Sequence, residues 1–376
     1  MSVTVCLSTN QTLNYPQGGG HLWVFLNWAL GLRALGCEVI WLETVSQEES
    51  VFALNRRCLE RDGLVERPND LVHEVQTNVA TLKRRLERYG LAESLALHSW
   101  SCEVVPDEVA KGCLDFFETA AEADLLLNLR YNLPTQMVER FRRSALVDID
   151  PDLLQVWMSQ GLVSVSQHDL YFTIGETAGQ PGPKFADVGL RWHYTPPVYL
   201  PEWPPVQANA MASYTTVSHW WEPKAAGWVE IQGELRNNEK RTAFLDYVDL
   251  LSRTSTPLEL ALGLAPNDEE EVWFLEERGW KIRHAWSVSS EREQYHSYIQ
   301  HSRGEFSVVK ASCLWLENAW ISDRTLCYLT TPKPAVVQHT GPSRFLGRRE
   351  GRARAGLQHG VLARTPPGDR GLRSDL

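Results

Sequence analysis

The 376-residue sequence contains no Cys-x-x-Cys pair. Its seven cysteines are odd in number and scattered, which is typical of reduced, mostly buried thiols and argues against a disulfide framework or a zinc site. No apolar run is long enough to cross a bilayer, and the first residues lack the basic segment and apolar core of a signal peptide. These absences predict a cytoplasmic protein without a transmembrane segment.

Positive charge is also scarce, because 37 Lys and Arg stand against 47 Asp and Glu, for a net charge of −10. A general nucleic-acid binder carries a basic face, so no nucleic-acid partner is expected, although a local basic pocket for phosphate is compatible with this balance. Trp, in contrast, is abundant at 15 residues. Most of these side chains are expected to fill cores, and a minority to offer flat faces to sugars or bases.

The C-terminal segment departs from this composition. Residues 344–376 contain eight Arg, no Lys and three acidic residues, hence a charge of +5, which leaves −15 for the preceding body. A basic nucleic-acid arm is one interpretation. The hypothesis that we favour is a disordered tail that is the out-of-frame translation of a lost C-terminal helix.

A Gly-rich turn near the N-terminus lies between a strand and a helix. The pattern predicts a buried strand over residues 3–7, the turn Gly18-Gly19-Gly20-His21, a helix over residues 22–35 and a second strand from residue 38. This is the spacing of a Rossmann-type βαβ unit, in which glycine lets the backbone approach a ligand and the helix N-terminus favours an anion or a polar group. The alternative is a flexible turn before a core helix.

Apolar strands alternate with helices through both halves of the chain. A Pro-rich stretch between them predicts an N-terminal acceptor-side domain at residues 1–178, a linker at 179–205, a C-terminal donor domain at 206–343 and a basic tail at 344–376. The predicted fold is therefore α/β, with two Rossmann-like domains that face each other across a cleft. Such a cleft suits a reaction that transfers a group between two substrates.

Two runs of sequence resemble glycosyltransferases of the GT-B fold that have a Gly-Gly-His turn. In the first half the run is residues 18–42, and in the second half it is residues 322–337, SDRTLCYLTTPKPAVV, which resembles the helix and strand of the donor domain. The chain departs from the family where many members carry a glutamate seven residues before the proline of the last strand, because Cys327 would occupy that position. Asp323, one helical turn earlier, can substitute for it.

The resemblance implies displacement of a nucleoside diphosphate, such as UDP, from a sugar carbon. Such a reaction needs donors for the charge on the leaving diphosphate and a base for the acceptor hydroxyl. The candidates for donor binding fall into four groups. They are the cationic side chains Lys240, Arg241 and Lys310, the start of the second-half helix at Ser322, Asp323 and Arg324, the backbone around Trp286 and Val288 for the nucleobase, and the polar groups of Gln338 and Thr340 for the sugar. Each cation has the alternative of being an ordinary surface residue.

His21 is the candidate catalytic base, because imidazole titrates near neutral pH and the resemblance places a functional histidine in this turn. Asp148 or Asp150, after a predicted strand, is expected to hold its tautomer; a turn or helix cap is the alternative role for an aspartate before Pro151. The alternative for His21 is a helix cap or a contact to an acceptor oxygen.

The predicted function is transfer of a hexosyl group from a nucleoside diphosphate sugar to a hydroxyl on a small-molecule or lipid-linked acceptor. The diphosphate sugar is a co-substrate, and no cofactor is predicted. The sequence predicts no metal, because its Asp148-Ile149-Asp150 spacing lies in the acceptor half. Two alternatives are a nucleotide-sugar epimerase of the same fold and a sugar-nucleotide-binding protein with impaired catalysis. The oligomeric state does not follow from the sequence.

Overall fold

The computed structural model divides the chain into two compact units, Met1–Pro181 with Phe185–Val198, and Gly182–Lys184 with Tyr199–Leu376. The change of unit falls inside the stretch predicted as a linker. The structure describes residues 2–15, 18–45, 71–99, 104–180, 182, 184, 186–196, 202–207, 209, 211–222, 227–265, 267–343, 349–350 and 359–362.

The first unit is built on an eight-stranded sheet in which all neighbouring strands are parallel. Its strand order is β4-β3-β2-β1-β5-β6-β7-β8, so the direction of winding reverses between β1 and β5. In open α/β sheets, ligands bind at the carboxyl ends of the strands beside such a reversal. The strands are β1 Thr4–Ser8, β2 Glu38–Val45, β3 Leu95–Ser99, β4 Leu114–Asp115, β5 Leu125–Asn128, β6 Ser144–Asp148, β7 Leu170–Thr173 and β8 Trp192–Tyr194.

Apolar runs explain the buried strands of this sheet. Val5, Cys6 and Leu7 of β1 are buried on both faces because helices cover a parallel sheet from both sides. The helices described in this unit are α1 Gly19–Ala34, α2 Leu71–Glu87, α3 Asp107–Ala110, α4 Phe116–Glu122, α5 Thr135–Val138 and α6 Leu153–Ser159, with a 3₁₀ turn at Ala92–Ser94. The helix predicted to begin at Leu22 begins at Gly19, and β8 forms inside the stretch predicted as a linker.

The second unit contains a seven-stranded sheet of order β13-β12-β9-β14-β15-β17-β16. The first five strands in this order, from β13 through β12, β9 and β14 to β15, all pair in parallel. At the other edge β17 pairs antiparallel with both β15 and β16. The winding reverses between β9 and β14. The strands are β9 Tyr214–His219, β12 Leu258–Gly263, β13 Lys281–His284, β14 Gly304–Ser307, β15 Ala335–Gln338, β16 Arg349–Glu350 and β17 His359–Leu362, and a separate hairpin joins β10 Trp228–Ile231 to β11 Glu234–Asn237.

Six α-helices of the second unit lie in the described part of the chain. They are α7 Lys240–Leu245, α8 Glu269–Glu276, α9 Trp286–Ser289, α10 Arg292–His301, α11 Ala311–Leu316 and α12 Asp323–Thr330, with a 3₁₀ turn at Leu250–Ser252. Helix α11 lies between β14 and α12, in a stretch for which the sequence predicts a polar turn rich in Trp. The six residues of β16 and β17 belong to the predicted tail; its other residues lie outside the described part of the chain, and disorder of the tail stays a prediction.

The prediction of an α/β fold with two Rossmann-like parallel sheets is confirmed by these topologies. The sequence pattern over residues 107–121 predicts a single helix, but the structure divides this stretch into α3 and α4 by a turn at Gly112, whose φ of +75° suits glycine. Of the 14 tryptophans whose burial is described, seven are buried, with Trp41 and Trp220 fully so, and five are exposed, so cores take half of them rather than most. The cleft predicted between the two domains stays a prediction.

Candidate functional site

Glu43 organises the carboxyl edge of the first sheet. Its side chain is buried near the end of β2 and accepts five hydrogen bonds. Oε2 accepts from the Thr9 hydroxyl (2.9 Å), from the Thr12 amide (2.7 Å) and hydroxyl (2.6 Å), and from the Leu13 amide (3.3 Å), while Oε1 accepts from the Thr44 amide (2.8 Å). A buried carboxylate is tolerated only with such a set of donors. Glu43 therefore fixes the loop that follows β1.

The direction of the neighbouring hydrogen bonds follows from a carbonyl that can only accept. Nδ1 of His98 lies 3.2 Å from the Ser99 carbonyl, so Nδ1 carries the hydrogen and donates it. Nε2 of the neutral ring then accepts from the Thr44 hydroxyl at 3.0 Å, and that hydroxyl accepts from Nη1 of Arg130 at 2.6 Å. Burial lowers the pKa of His98 to about 4, so this imidazole is neutral at pH 7.

His168 is held in the same way beside β5. Its Nδ1 donates to the Ser166 carbonyl at 2.6 Å, and its Nε2 accepts from the Asn128 amide at 3.1 Å. Oδ1 of Asn128 accepts in turn from the backbone N–H of Arg130. Both ring nitrogens of His98 and of His168 are thus engaged, and neither ring is available to take a proton from a substrate.

His21 differs from these two histidines. Its Nε2 lies 2.7 Å from the Asn10 carbonyl, which can only accept, so Nε2 carries the hydrogen. In the neutral ring Nδ1 is then the basic nitrogen, and no hydrogen bond reaches it from the described residues. The ring stands edge-on to Tyr15 and Phe25. Burial lowers the pKa of His21, while the Asn10 carbonyl and the Glu43 charge act in the opposite direction.

The Gly-rich turn is shaped by packing as well as by its position. Gly18 is the N-cap of α1, and its amide donates to the Tyr15 carbonyl at 2.9 Å. A Cβ on Gly18 would lie 2.2 Å from the Tyr15 ring, so the ring makes the close approach that the sequence assigned to a ligand. Gly19 is buried in the first turn of α1, and Gly20 follows it there.

Asp148 and Asp150 do not orient His21, contrary to expectation. Asp148 is buried at the end of β6, where its carboxylate accepts from the Gln155 amide at 3.0 Å and the Thr173 hydroxyl at 3.1 Å. It also accepts from the backbone N–H of Asp150. These contacts tie β6 to α6 and β7, which is a structural role. Burial raises the pKa of Asp148 to about 6.

In the second unit, Lys240 and Lys310 bring positive charge to the carboxyl edge of the sheet. Nζ of Lys310 lies 3.0 Å from the Glu222 carboxylate, whereas Lys240 makes no hydrogen bond to the described residues. Burial, then the charges of Arg324 and Lys310, lower the pKa of Lys240 to about 7, and Cys313 and Glu222 act in the opposite direction. Lys240 is therefore a half-buried amine among other cations, and an anion bound there would favour its charged form.

Arg241 faces away from this pair. Its guanidinium donates to both carboxylate oxygens of Glu271, at 3.0 and 2.6 Å, and lies 4.8 Å from the centroid of the Trp221 ring. The same carboxylate accepts from the indole of Trp220 at 2.9 Å. Of the two adjacent candidates, Lys240 is the one whose charge is not used inside the fold.

Arg324 is at the reversal between β9 and β14, but each of its three nitrogens donates a hydrogen bond within the sheet. Nε donates to Glu305 at 2.7 Å, Nη1 to the Val217 carbonyl at 2.8 Å and Nη2 to the Ser307 hydroxyl at 2.6 Å. It contributes positive potential rather than a direct contact. The start of the helix behaves as predicted, since the Ser322 hydroxyl accepts from the backbone N–H of Arg324 at 3.2 Å and Asp323 lies in the first turn.

Gln338 and Thr340 fix backbone after β14 and before α12. The Gln338 amide oxygen accepts from the Val309 amide at 2.9 Å, and the Thr340 hydroxyl donates to the Trp320 carbonyl at 2.7 Å. The next residue, Gly341, has a φ of +120°, and a Cβ there would lie 2.4 Å from the Glu317 carbonyl. These side chains therefore shape the edge of the sheet, and sugar contacts for them stay a prediction.

Trp286 and Val288 lie in α9, which follows the edge strand β13. The order β13-β12-β9 places two strand spacings, roughly 10 Å, between β13 and the reversal at β9. Trp286 is 40% exposed and Val288 is buried. The structure therefore does not bring these two residues together with Lys240 and Lys310.

Sequence reasoning missed two polar groups close to the predicted residues. The Ser312 hydroxyl, in the first turn after Lys310, and the Trp320 indole N–H, two residues before Ser322, are buried without a hydrogen-bond partner among the described residues. Buried polar groups normally have partners, so these two atoms are free to bond to a ligand. Only the fold can reveal such groups, because their residue types give no signal.

No helix in the described ranges is long and apolar enough to cross a membrane. No group of three or more His, Cys, Asp or Glu side chains in the same ranges is placed to hold a metal ion.

No protein-family model and no curated protein matches the chain. Among solved structures, the chain resembles an alpha-glucosyltransferase in complex with UDP and a 13-mer DNA, with 9% identity over 90% of this chain and 80% of that one and a TM-score of 0.47. It also matches MurG of Acinetobacter baumannii (11% identity, 88% and 83% covered, TM-score 0.24) and LpCGTa in complex with UDP (12% identity, 88% and 82% covered, TM-score 0.32). Similarity this distant identifies neither a family nor an activity.

Proposed function

We propose that the chain is a glycosyltransferase of the GT-B type, which transfers a hexosyl group from a UDP sugar to a hydroxyl acceptor. The observation that carries the proposal is the pair of amines Lys240 and Lys310 at the carboxyl edge of the second sheet, where burial and neighbouring cations lower the pKa of Lys240 to about 7 and no described residue accepts a hydrogen bond from it. A diphosphate carries the negative charge that such amines bind. The unpaired Ser312 hydroxyl lies in the first turn of α11, the helix whose N-cap is Lys310. The Gly-Gly-His class, the metal-independent chemistry and a small-molecule or lipid-linked acceptor are parts of the same proposal.

The proposed reaction assigns one role to each unit. The acceptor oxygen forms a bond to the anomeric carbon and its proton passes to Nδ1 of His21 in the first unit. The bond from that carbon to the diphosphate breaks, and its electron pair leaves on the diphosphate oxygen. Lys240 and Lys310 stabilise that oxygen electrostatically.

Calorimetric titration with UDP tests donor binding. Replacing Lys240 or Lys310 by Met should lower the affinity at least about tenfold, as expected for one charge-assisted contact to phosphate. Lys281→Met is the matched control, because Lys281 is exposed on the edge strand β13 of the same sheet. An unchanged affinity in both cluster variants, or an equal loss in the control, would overturn the proposal.

Incubation with UDP sugars and hydroxyl acceptors tests turnover. Release of UDP that depends on the acceptor, with a glycosylated product, supports the transferase. Conversion of the sugar without an acceptor identifies an epimerase, and binding without any turnover identifies a sugar-nucleotide-binding protein. Either of these last two results overturns the proposal.

A further inference from the structure

The position of His21 depends on a loop that contributes no side chain to it. The contact at Nε2 comes from the backbone carbonyl of Asn10, two residues after the end of β1. A backbone carbonyl can fix a ring only if the loop that carries it is itself fixed. The position of His21 therefore depends on whatever fixes residues 9–13.

Glu43 holds this loop from the neighbouring strand. Four of its five hydrogen bonds come from Thr9, Thr12 and Leu13, which flank Asn10 on both sides. The hydroxyl of Thr9 also lies 3.2 Å from the Leu42 carbonyl, and the indole of Trp41 donates to the Thr12 hydroxyl at 3.2 Å. The loop is thus bound to β2 at each end, and Glu43 is the centre of that attachment.

We infer that Glu43 is a positioning residue for His21: by fixing residues 9–13 it keeps the Asn10 carbonyl against Nε2, so that Nδ1 is the nitrogen that accepts a proton. The assignment of a base role to Nδ1 rests on the proposed function, whereas the tautomer and its dependence on Glu43 do not. Glu43 does not touch the reacting atoms in this scheme.

The charge of Glu43 acts in the same direction as its geometry. The groups that face His21 are Tyr15 and Phe25, which present ring edges, the Asn10 carbonyl and the Glu43 carboxylate. Of these, only the carboxylate carries a charge, and its attraction stabilises the imidazolium that forms when Nδ1 takes up a proton.

Nitrogen-15 NMR of the histidine-labelled full chain tests the inference directly, with His21→Gln used to assign the signal. The neutral His21 ring should carry its hydrogen on Nε2, whereas His98 and His168 should carry theirs on Nδ1 and serve as internal references. In Glu43→Gln the amide places an NH₂ group against donors of the loop, so His21 should become a mixture of tautomers. Glu38→Gln, the same change at an exposed position of β2, should leave the His21 spectrum unchanged.

Kinetics provide a second measurement. Glu43→Gln should reduce kcat at least about tenfold, as expected for a misplaced base, with an unchanged dissociation constant for UDP. A folded Glu43→Gln protein with the wild-type His21 tautomer overturns the inference. If the wild-type chain transfers no sugar, the proposed function fails, while the tautomer measurement still decides the role of Glu43.

A second pair of variants covers the case in which Glu43→Gln does not fold. Thr12→Val removes the 2.6 Å hydrogen bond to Glu43 with little change of volume, and Thr12→Ser keeps the hydroxyl. We expect the tautomer mixture in the first variant and the wild-type tautomer in the second. Identical His21 spectra in both would overturn the inference.

Discussion

At the carboxyl edge of the first sheet, Glu43 accepts five hydrogen bonds and the rings of His98 and His168 use both nitrogens. At the corresponding edge of the second sheet, the Lys240 amine and the Ser312 hydroxyl have no hydrogen-bond partner among the described residues. The first edge thus carries a hydrogen-bonded network around Glu43, His98 and His168, whereas the second edge carries two polar groups without partners among the described residues. The proposed function places a ligand at one ring nitrogen of His21 in the first unit and at the cationic cluster of Lys240 and Lys310 in the second.

The largest expected effect is a loss of sugar transfer without a loss of UDP affinity, on replacement of His21. His21→Gln removes the only histidine of the first edge with an unbonded nitrogen among the described residues, so transfer should fall by about 10²- to 10⁴-fold, the usual contribution of a general base. UDP affinity, which the proposed function assigns to the second unit, should not change. Steady-state kinetics and calorimetry measure the two quantities, with the exposed His284→Gln as control. Near-normal turnover would remove His21 as the base.

The next effect concerns charge that is fixed inside the second sheet. Glu305→Gln leaves Arg324 buried without its carboxylate partner, and this should cost about 3–5 kcal/mol in the free energy of unfolding. Arg142→Gln, which breaks an exposed ion pair with Asp124 in the first unit, should cost less than about 1 kcal/mol. Urea denaturation compares the two variants. Equal costs would show that Arg324 is not held by Glu305 in the way described.

The smallest expected effect is the pH dependence of ligand binding at the second edge. Because the pKa of Lys240 is lowered to about 7, the amine is charged below that pH and loses its charge above it. UDP affinity should therefore fall as the pH rises through 7, by up to about tenfold per unit once the amine is neutral. Lys240→Arg keeps the charge, and its affinity should lack this component. Calorimetry from pH 6 to 8.5 compares the UDP affinity of the wild type with that of Lys240→Arg. Protonation of UDP itself affects both proteins equally, so it cancels in the comparison. Parallel pH curves would exclude Lys240 from the anion site.

The sequence predicted the strands well because continuous apolar runs such as residues 5–7 and 125–127 belong in a parallel sheet covered on both faces. It also singled out Lys240, Lys310 and His21, because each follows a strand in the chain, and their roles at a ligand site stay predictions. It failed at Asp148 for a definable reason: a carboxylate after a strand has the same local pattern whether it meets a ligand or, as here, Gln155 and Thr173.

The sequence by itself determined the alternation of strands and helices and the ends at which polar residues gather, because these depend on local periodicity. The tertiary structure alone decided which polar residues are consumed by the fold. Arg241 and Lys240 are adjacent in sequence, yet only one of them is neutralised by Glu271, which lies 30 residues away. Glu43 likewise gave no signal, because its partners lie about 30 residues earlier on a loop brought to it by strand pairing. Hydrogen bonds and ion pairs between distant segments depend on the register of the sheet, and a one-dimensional pattern does not contain that register.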